Sequence, residues 1–279
     1  MHAPPKIRIA ILDLYAGQLN QGMRCIREIL SNFERENNLS VETASFEVRQ
    51  KNEVPDLSYD IYISTGGPGS PLDSEGSPWE LAYFEWLRQV EDFNLSAKEN
   101  TAKHVFFICH SFELVCRHYK LAQVCKRKSA AFGVFPVHLT PHGKNDPVFS
   151  GLEEPFYAME SRSFQVIAPD AERLEEMGSI ILAFEKERPH VPLDRAIVAI
   201  RFNKYMIGTQ FHPEADALGT SRFLKRKDKK LAVIKEYGEE KWKDMILHLN
   251  DPAKIRSTYS HVLPNFLRQC IQPTSKQLT

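Results

Sequence analysis

The chain has 279 residues, 42% of them hydrophobic, enough for one large domain or about two average ones around a sizeable core. Lysine plus arginine and aspartate plus glutamate both count 36, so the formal net charge is zero, which removes the bulk electrostatic case for nucleic acid or an anionic membrane as partner. Five cysteines without paired spacing point to reduced thiols and a cytoplasmic setting, Met1–Lys6 carries no apolar signal core, and no apolar stretch approaches the roughly twenty residues of a membrane span.

Lys6–Leu14 predicts a first strand, because Ile7, Ile9, Ala10, Ile11 and Leu12 form a nearly continuous apolar run suited to a strand covered on both faces. Asp13 near its end reads as a turn residue, at the edge where doubly wound sheets take ligands. Asn20–Glu36 follows as a helix, with Met23, Ile26, Ile29, Leu30 and Phe33 on one stripe. Val41–Val48 and Asp60–Ser64 are two further strands, and the second runs into Gly66-Gly67-Pro68-Gly69. A glycine turn at a strand end can aim backbone N–H groups at a developing negative charge, or be only a turn. Glu75 and Glu80 lie near enough in the chain to reach a ligand held there. Ser77-Pro78 opens a helix through about Val90, with proline at the first position.

Val105–Ile108 is a short apolar strand that stops at Cys109, and Phe112–Tyr119 reads as a helix, since Phe112, Val115, Cys116 and Tyr119 recur along one face. Strand, abrupt cysteine, helix is the layout of a nucleophile elbow, with the sulfur near a helix N-terminus that favours a thiolate. The plainer alternative is a buried structural thiol, the reading given to Cys25, Cys116, Cys125 and Cys270. Short β-like runs follow at Gly133–Leu139, Pro155–Ala158, Ser179–Phe184, Ala196–Arg201 and Tyr205–Phe211. Alternating β and α, then consecutive strands, predicts an α/β fold: a doubly wound, mostly parallel sheet with an antiparallel extension. The last strand leads into His212-Pro213-Glu214, whose imidazole and carboxylate leave one side of an extended backbone. That pair is a base and its orienter, or a charge-paired histidine at a strand end.

Gly66–Gly69, the Cys109 turn and Gln210–Glu214 together resemble the class I glutamine amidotransferase family, the triad-type cysteine amidohydrolases, over most of residues 6–216. Phe132–Thr140 and Asp146–Phe149 look like the stretches between elbow and catalytic histidine in stand-alone members similar to the amidotransferase domain of GMP synthase. The resemblance implies a flavodoxin-like amidotransferase fold, Cys109 as nucleophile, His212 as general base and acid, and Glu214 as its orienter. It implies that the loop Gly66, Gly67, Pro68 and Gly69 shapes the oxyanion site, with backbone N–H groups from Gly67 and His110. No metal or cofactor is called for. The chain departs from the pattern in four places. Phe107 and Ser111 stand where the elbow has glycines, Glu113 replaces a glutamine that shapes the substrate pocket, and Ser161-Arg162 stands where Ser-His is usual. Glu113, Ser161 and Arg162 are expected beside the substrate. Three readings stay open: release of ammonia from glutamine to a separate synthase or acceptor subunit, hydrolysis of a γ-glutamyl amide without transfer, and a non-catalytic binding subunit.

Residues 217–279 read as a helical C-terminal extension packed on a domain spanning 1–216. Ser221–Tyr237 is charged, with Arg222, Lys225, Arg226, Lys227, Lys229 and Lys230 clustered, and reads first as a solvated helical face. Glu239–Leu249 carries Trp242, Met245, Ile246 and Leu249 at helical spacing, a stripe for docking on the domain or on a second copy of the chain. Asp251 and Pro252 are the expected cap and first residue of the next helix, and Pro264–Ile271 is expected as one more short helix.

Overall fold

The computed structural model describes residues 4–188, 191–249 and 252–271. The first half alternates strand and helix: β1 (Lys6–Asp13), α1 (Gly22–Asn37), β2 (Ser40–Glu47), α2 (Val48–Lys51), β3 (Ile61–Ser64), α3 (Pro78–Ser96), β4 (His104–Ile108) and α4 (His110–His118). The second half is richer in strands: β5 (Ala122–Leu139), α5 (Pro141–Asn145), β6 (Phe156–Pro169), α6 (Ala171–Met177), β7 (Ile180–Glu185), β8 (Ile197–Asn203) and β9 (Met206–Thr209). Four helices close the chain: α7 (Ala217–Lys225), α8 (Lys227–Tyr237), α9 (Glu239–Leu249) and α10 (Pro252–Ile271).

The nine strands among the described residues join one sheet in the order β2-β1-β3-β4-β9-β8-β6-β5-β7. β2, β1, β3, β4 and β9 are parallel, whereas β9–β8, β8–β6, β6–β5 and β5–β7 are antiparallel. β7 also pairs with β8, so the antiparallel half curls back on itself. This is the expected α/β class with a helical tail, but the sheet is not mostly parallel: four strand pairings are parallel and five antiparallel, because β5 to β8 pair back on one another.

Side-chain alternation along the parallel strands divides the core in two. Ile7, Ile9 and Ile11 of β1, with Phe106 and Ile108 of β4, face α1 and α10. Ala10 and Leu12, with Val105 and Phe107, face the aromatic wall of Trp79, Tyr83 and Trp86 on α3 and the Phe112 face of α4. Three layers result, and the carboxyl ends of β1, β3, β4 and β9 come out along one edge.

Several boundaries differ from the sequence reading. β5 begins at Ala122 rather than Gly133, and β6 runs to Pro169 rather than Ala158. Lys126 and Arg127 carry no apolar alternation; backbone pairing between the two strands makes this hairpin. Its register passes from Lys126↔Phe164 to Ala131↔Arg162, so residues 127–130 bulge out opposite Ser163. The charged stretch expected as one helix is broken at Arg226 into α7 and α8. α10 runs straight through Pro264. A proline there forfeits one backbone hydrogen bond, but Val262, Leu263, Phe266 and Leu267 on either side of it are buried in the core and hold the helix on. Asp251, the expected cap of that helix, lies outside the described residues.

Candidate active site

Cys109 sits alone between β4 and α4 with φ 50° and ψ −100°, a backbone conformation that costs energy for any residue with a Cβ. Its N–H donates to the Thr209 carbonyl at 2.7 Å, and its own carbonyl accepts from the Glu113 N–H at 3.0 Å. The two departures at this turn are both absorbed. Ser111 Oγ accepts from the Ile108 N–H at 2.9 Å and donates to the Ser64 carbonyl at 2.9 Å, tying the turn to β3. The Phe107 ring points away from the site, edge-on to Phe202 at 5.5 Å. Its room comes from Gly208, its partner across the β4–β9 ladder: a Cβ there would lie 3.0 Å from the Phe107 Cβ and 2.9 Å from Phe112 Cδ2.

β9 brings the second segment to the same edge. The His212 N–H donates to the Met159 carbonyl at 2.8 Å, and His212 Nδ1 lies 2.8 Å from Glu214 Oε1. With Nδ1 engaged, Nε2 is the ring nitrogen left for other work. Burial by itself would depress the imidazole, but the charges of Glu214 and Cys109 outweigh it and hold His212 well above its ordinary value.

The glycine loop lies against both. A Cβ on Gly66 would stand 3.0 Å from His212 Cε1 and 3.5 Å from the Cys109 Cβ, so a side chain there would press on the imidazole. A Cβ on Gly67 would lie 2.4 Å from the Leu14 carbonyl oxygen, and the Pro68 carbonyl accepts from Arg49 Nη1 at 2.5 Å. Gly67, Pro68, Gly69, Cys109, His212 and Glu214 line one cavity of about 450 Å³. His110, Glu113, Ser161 and Arg162 line it too.

Those four play unequal parts. The Glu113 carboxylate is buried and accepts from Gln210 Nε2 at 2.9 Å; burial pushes its carboxyl up to about 7. The same amide nitrogen stands 4.0 Å from Cys109 Sγ, so Gln210 links Glu113 to the thiol. Burial drives the His110 ring down to about 3, which keeps it neutral. The Ser161 carbonyl lies 3.9 Å from Cys109 Sγ. The Arg162 guanidinium is turned into the protein, donating to Glu160 at 2.8 Å and Glu185 at 3.0 Å. Of the two acids near the glycine turn, Glu80 is buried against Ser74 and Arg117, and neither it nor Glu75 reaches the cavity.

Sequence reasoning did not anticipate the outer walls. Tyr15 and the loop after it, Ala130–Phe132 where β5 leaves its bulge, and Gly219, Thr220 and Val233 of α7 and α8 complete the cavity. Beside the bulge α9 packs on β5, with Met245 against Gly133 and in one cluster with Val233, Phe132 and Val134, which places the helical wall over this part of the sheet. Gln210 was within reach of sequence reasoning, since two residues before His212 it leaves the same side of an extended backbone. Among the described residues no helix is long and apolar enough to cross a membrane.

Residues 23–227 match the family model described as glutamine amidotransferase class-I. No curated protein matches the chain at a significant level. A glutamine amidotransferase structure from Thermotoga maritima is similar at a TM-score of 0.61 and 15% identity, covering 98% of this chain and 100% of that one. A glutamine amido transferase from Methylobacillus flagellatus gives 0.60 at 14% identity, with 99% of each chain covered. A Thermoplasma acidophilum protein, provisionally described as one subunit of a GMP synthase, gives 0.50 at 17% identity, covering 86% of this chain and 99% of that one. At these identities the likeness carries the fold.

Proposed function

The chain belongs to the class I glutamine amidotransferase family, and from that premise we propose that it hydrolyses the side-chain amide of glutamine through a thioester on Cys109, releasing ammonia. The observation that carries the reading is the 2.8 Å contact of His212 Nδ1 with Glu214, on the wall of a cavity shared with a strained, helix-capping Cys109. In this reading the Cys109 thiolate attacks the carboxamide carbon, and the carbonyl electron pair moves onto oxygen. Backbone N–H groups of Gly67 and His110 stabilise that oxyanion. The tetrahedral species collapses, the C–N bond breaks, and His212 hands its proton to the departing nitrogen, which leaves as ammonia. His212 then takes a proton from water as the water oxygen attacks the thioester; the C–S bond breaks and glutamate departs. Glu214 keeps the imidazole in the tautomer and orientation both steps need. Residues 1–216 form the amidotransferase domain in this proposal and 217–279 its extension, and the ammonia acceptor sits on a separate chain.

Ammonia release from glutamine, followed by a coupled assay, should fall at least about 1,000-fold in Cys109→Ala. Unchanged release in that variant overturns the reading. A γ-glutamyl amide with a larger amine is the second reading, favoured by a cavity in the size range of drug-like ligands and by Glu113 in its wall. Turnover of such an amide that exceeds turnover of glutamine would select it.

A further inference from the structure

Tyr15 lines the cavity, and the triad chemistry leaves it without a task. The loop between β1 and α1 is built around it. The Tyr15 N–H donates to Asp13 Oδ1 at 2.8 Å, the Tyr15 carbonyl accepts from the Gln18 N–H at 3.1 Å, and Gln50 Nε2 donates to the Ala16 carbonyl at 2.8 Å. Ala16 and Gly17 take φ of 53° and 70°, so the chain reverses immediately after the tyrosine.

Two glycines fix where the hydroxyl lies. A Cβ on Gly22 would sit 2.1 Å from the Tyr15 hydroxyl oxygen and 3.3 Å from Glu214 Oε1. A Cβ on Gly66 would sit 3.7 Å from that oxygen, 3.0 Å from His212 Cε1 and 3.5 Å from the Cys109 Cβ. The hydroxyl therefore shares its neighbourhood with the Cys-His-Glu set: Gly22 separates it from Glu214, Gly66 from His212 and Cys109. It has no hydrogen-bond partner among the described residues. Burial, then the charges of Glu214 and Cys109, hold the phenol well above its ordinary value, so the proton stays on oxygen.

A neutral hydroxyl with no protein partner, facing a cavity beside the imidazole, is matched to a bound molecule. The thioester cycle of the proposed function, on which this inference rests, brings two small molecules past His212. Ammonia leaves from a position set by the covalent bonds of the substrate. The incoming water has no such tether and is positioned only by the groups around it. We propose that Tyr15 is a further catalytic residue whose hydroxyl holds the hydrolytic water for His212. The water gives one proton to His212 Nε2 and its oxygen bonds the thioester carbon. The C–S pair returns to sulfur, which recovers the proton from the imidazolium; the carboxylic acid product carries the new C–O bond.

Steady-state glutamine hydrolysis and intact-protein mass spectrometry test this on the full chain. Tyr15→Phe should lower kcat about 10- to 100-fold while kcat/KM changes less than about threefold, because only the second half-reaction loses its donor. A γ-glutamyl adduct on Cys109 should accumulate during turnover, and hydroxylamine, which needs no positioning to attack a thioester, should restore turnover. Gly22→Ala, whose methyl would displace the hydroxyl, should reproduce the loss and add little to it in the double variant. Unchanged kcat, or an equal fall in kcat and kcat/KM without an adduct, overturns the role of Tyr15. Wild-type protein that forms no adduct at Cys109 with glutamine or a γ-glutamyl amide removes the underlying reading instead.

Discussion

Glu113 is the residue at which this cavity departs most from a neutral pocket. Its carboxyl is buried in the wall of the cavity, and burial raises it to about 7 against the opposing pull of the Gln210 hydrogen bond and the Arg162 charge. The sign of the consequence follows from linkage. Unfolded, the carboxyl titrates near 4.5; folded, near 7. The protonated form is the one folding favours, so its contribution is complete below pH 4.5 and is lost as pH rises through 7. Across that window the loss amounts to about 3 kcal/mol. Glu113→Gln keeps a partner for Gln210 and cannot ionise. Urea melts at pH 5 and pH 8 should therefore show the wild type losing stability relative to Glu113→Gln by roughly that amount; parallel pH dependence of the two proteins would show that the folded carboxyl titrates as the unfolded one does, and would overturn this account of Glu113.

At the scale of elements, the elbow shows how two substitutions can be tolerated at one turn. Phe107 faces the α3–α4 layer, and its bulk is matched by the missing side chain of Gly208 on the adjacent strand. Gly208→Ala would bring a methyl within 3.1 Å of the Phe107 carbonyl oxygen and 2.9 Å of the Phe112 ring. Overpacking of this kind costs about 1–3 kcal/mol, to be read as a lowered Tm, and the strained Cys109 turn should suffer with it. Other elements were announced by their ends. α6 has Asp170 accepting from the Arg173 N–H at 2.9 Å at its start and Gly178 at φ 63° at its finish, both visible as letters in the chain and overlooked for want of an apolar stripe. β5 offered no such letters: its Lys126–Ser129 stretch is polar on both faces, and the strand runs to either side of it because β6 pairs with it.

The whole molecule depends on its last helix more than an appended tail would. α10 lays Val262, Leu263, Phe266 and Leu267 into the same cluster that holds β1, β4 and α1, and the Phe266 ring meets Phe106 edge-on at 5.1 Å. Phe266→Ala should cost about 3–5 kcal/mol in chemical denaturation. A cost below about 1 kcal/mol would mean that α10 is peripheral. Nearer its start, Ile255 of α10 joins Val233 of α8 and Met245 of α9 in a second cluster on Phe132 and Val134 of β5, and Val233 and Phe132 line the cavity.

Much of this could be read from the chain because it is local. A continuous apolar run must be covered on both faces, a His-x-Glu pair at a strand end leaves the backbone on one side, and a cysteine stranded between strand and helix sits at a sheet edge. These are properties of a few consecutive residues, so the parallel sheet, the elbow and the His212–Glu214 pair were all legible. Contacts between residues far apart in number were not. Gln210 bridging Glu113 to the thiol, Gly208 making room for Phe107, Arg162 turning inward to Glu160 and Glu185, and Tyr15 arriving beside Glu214 all depend on register and packing across distant segments. No periodicity in a single segment carries that information, because the free energy that selects it is spread over the assembled core.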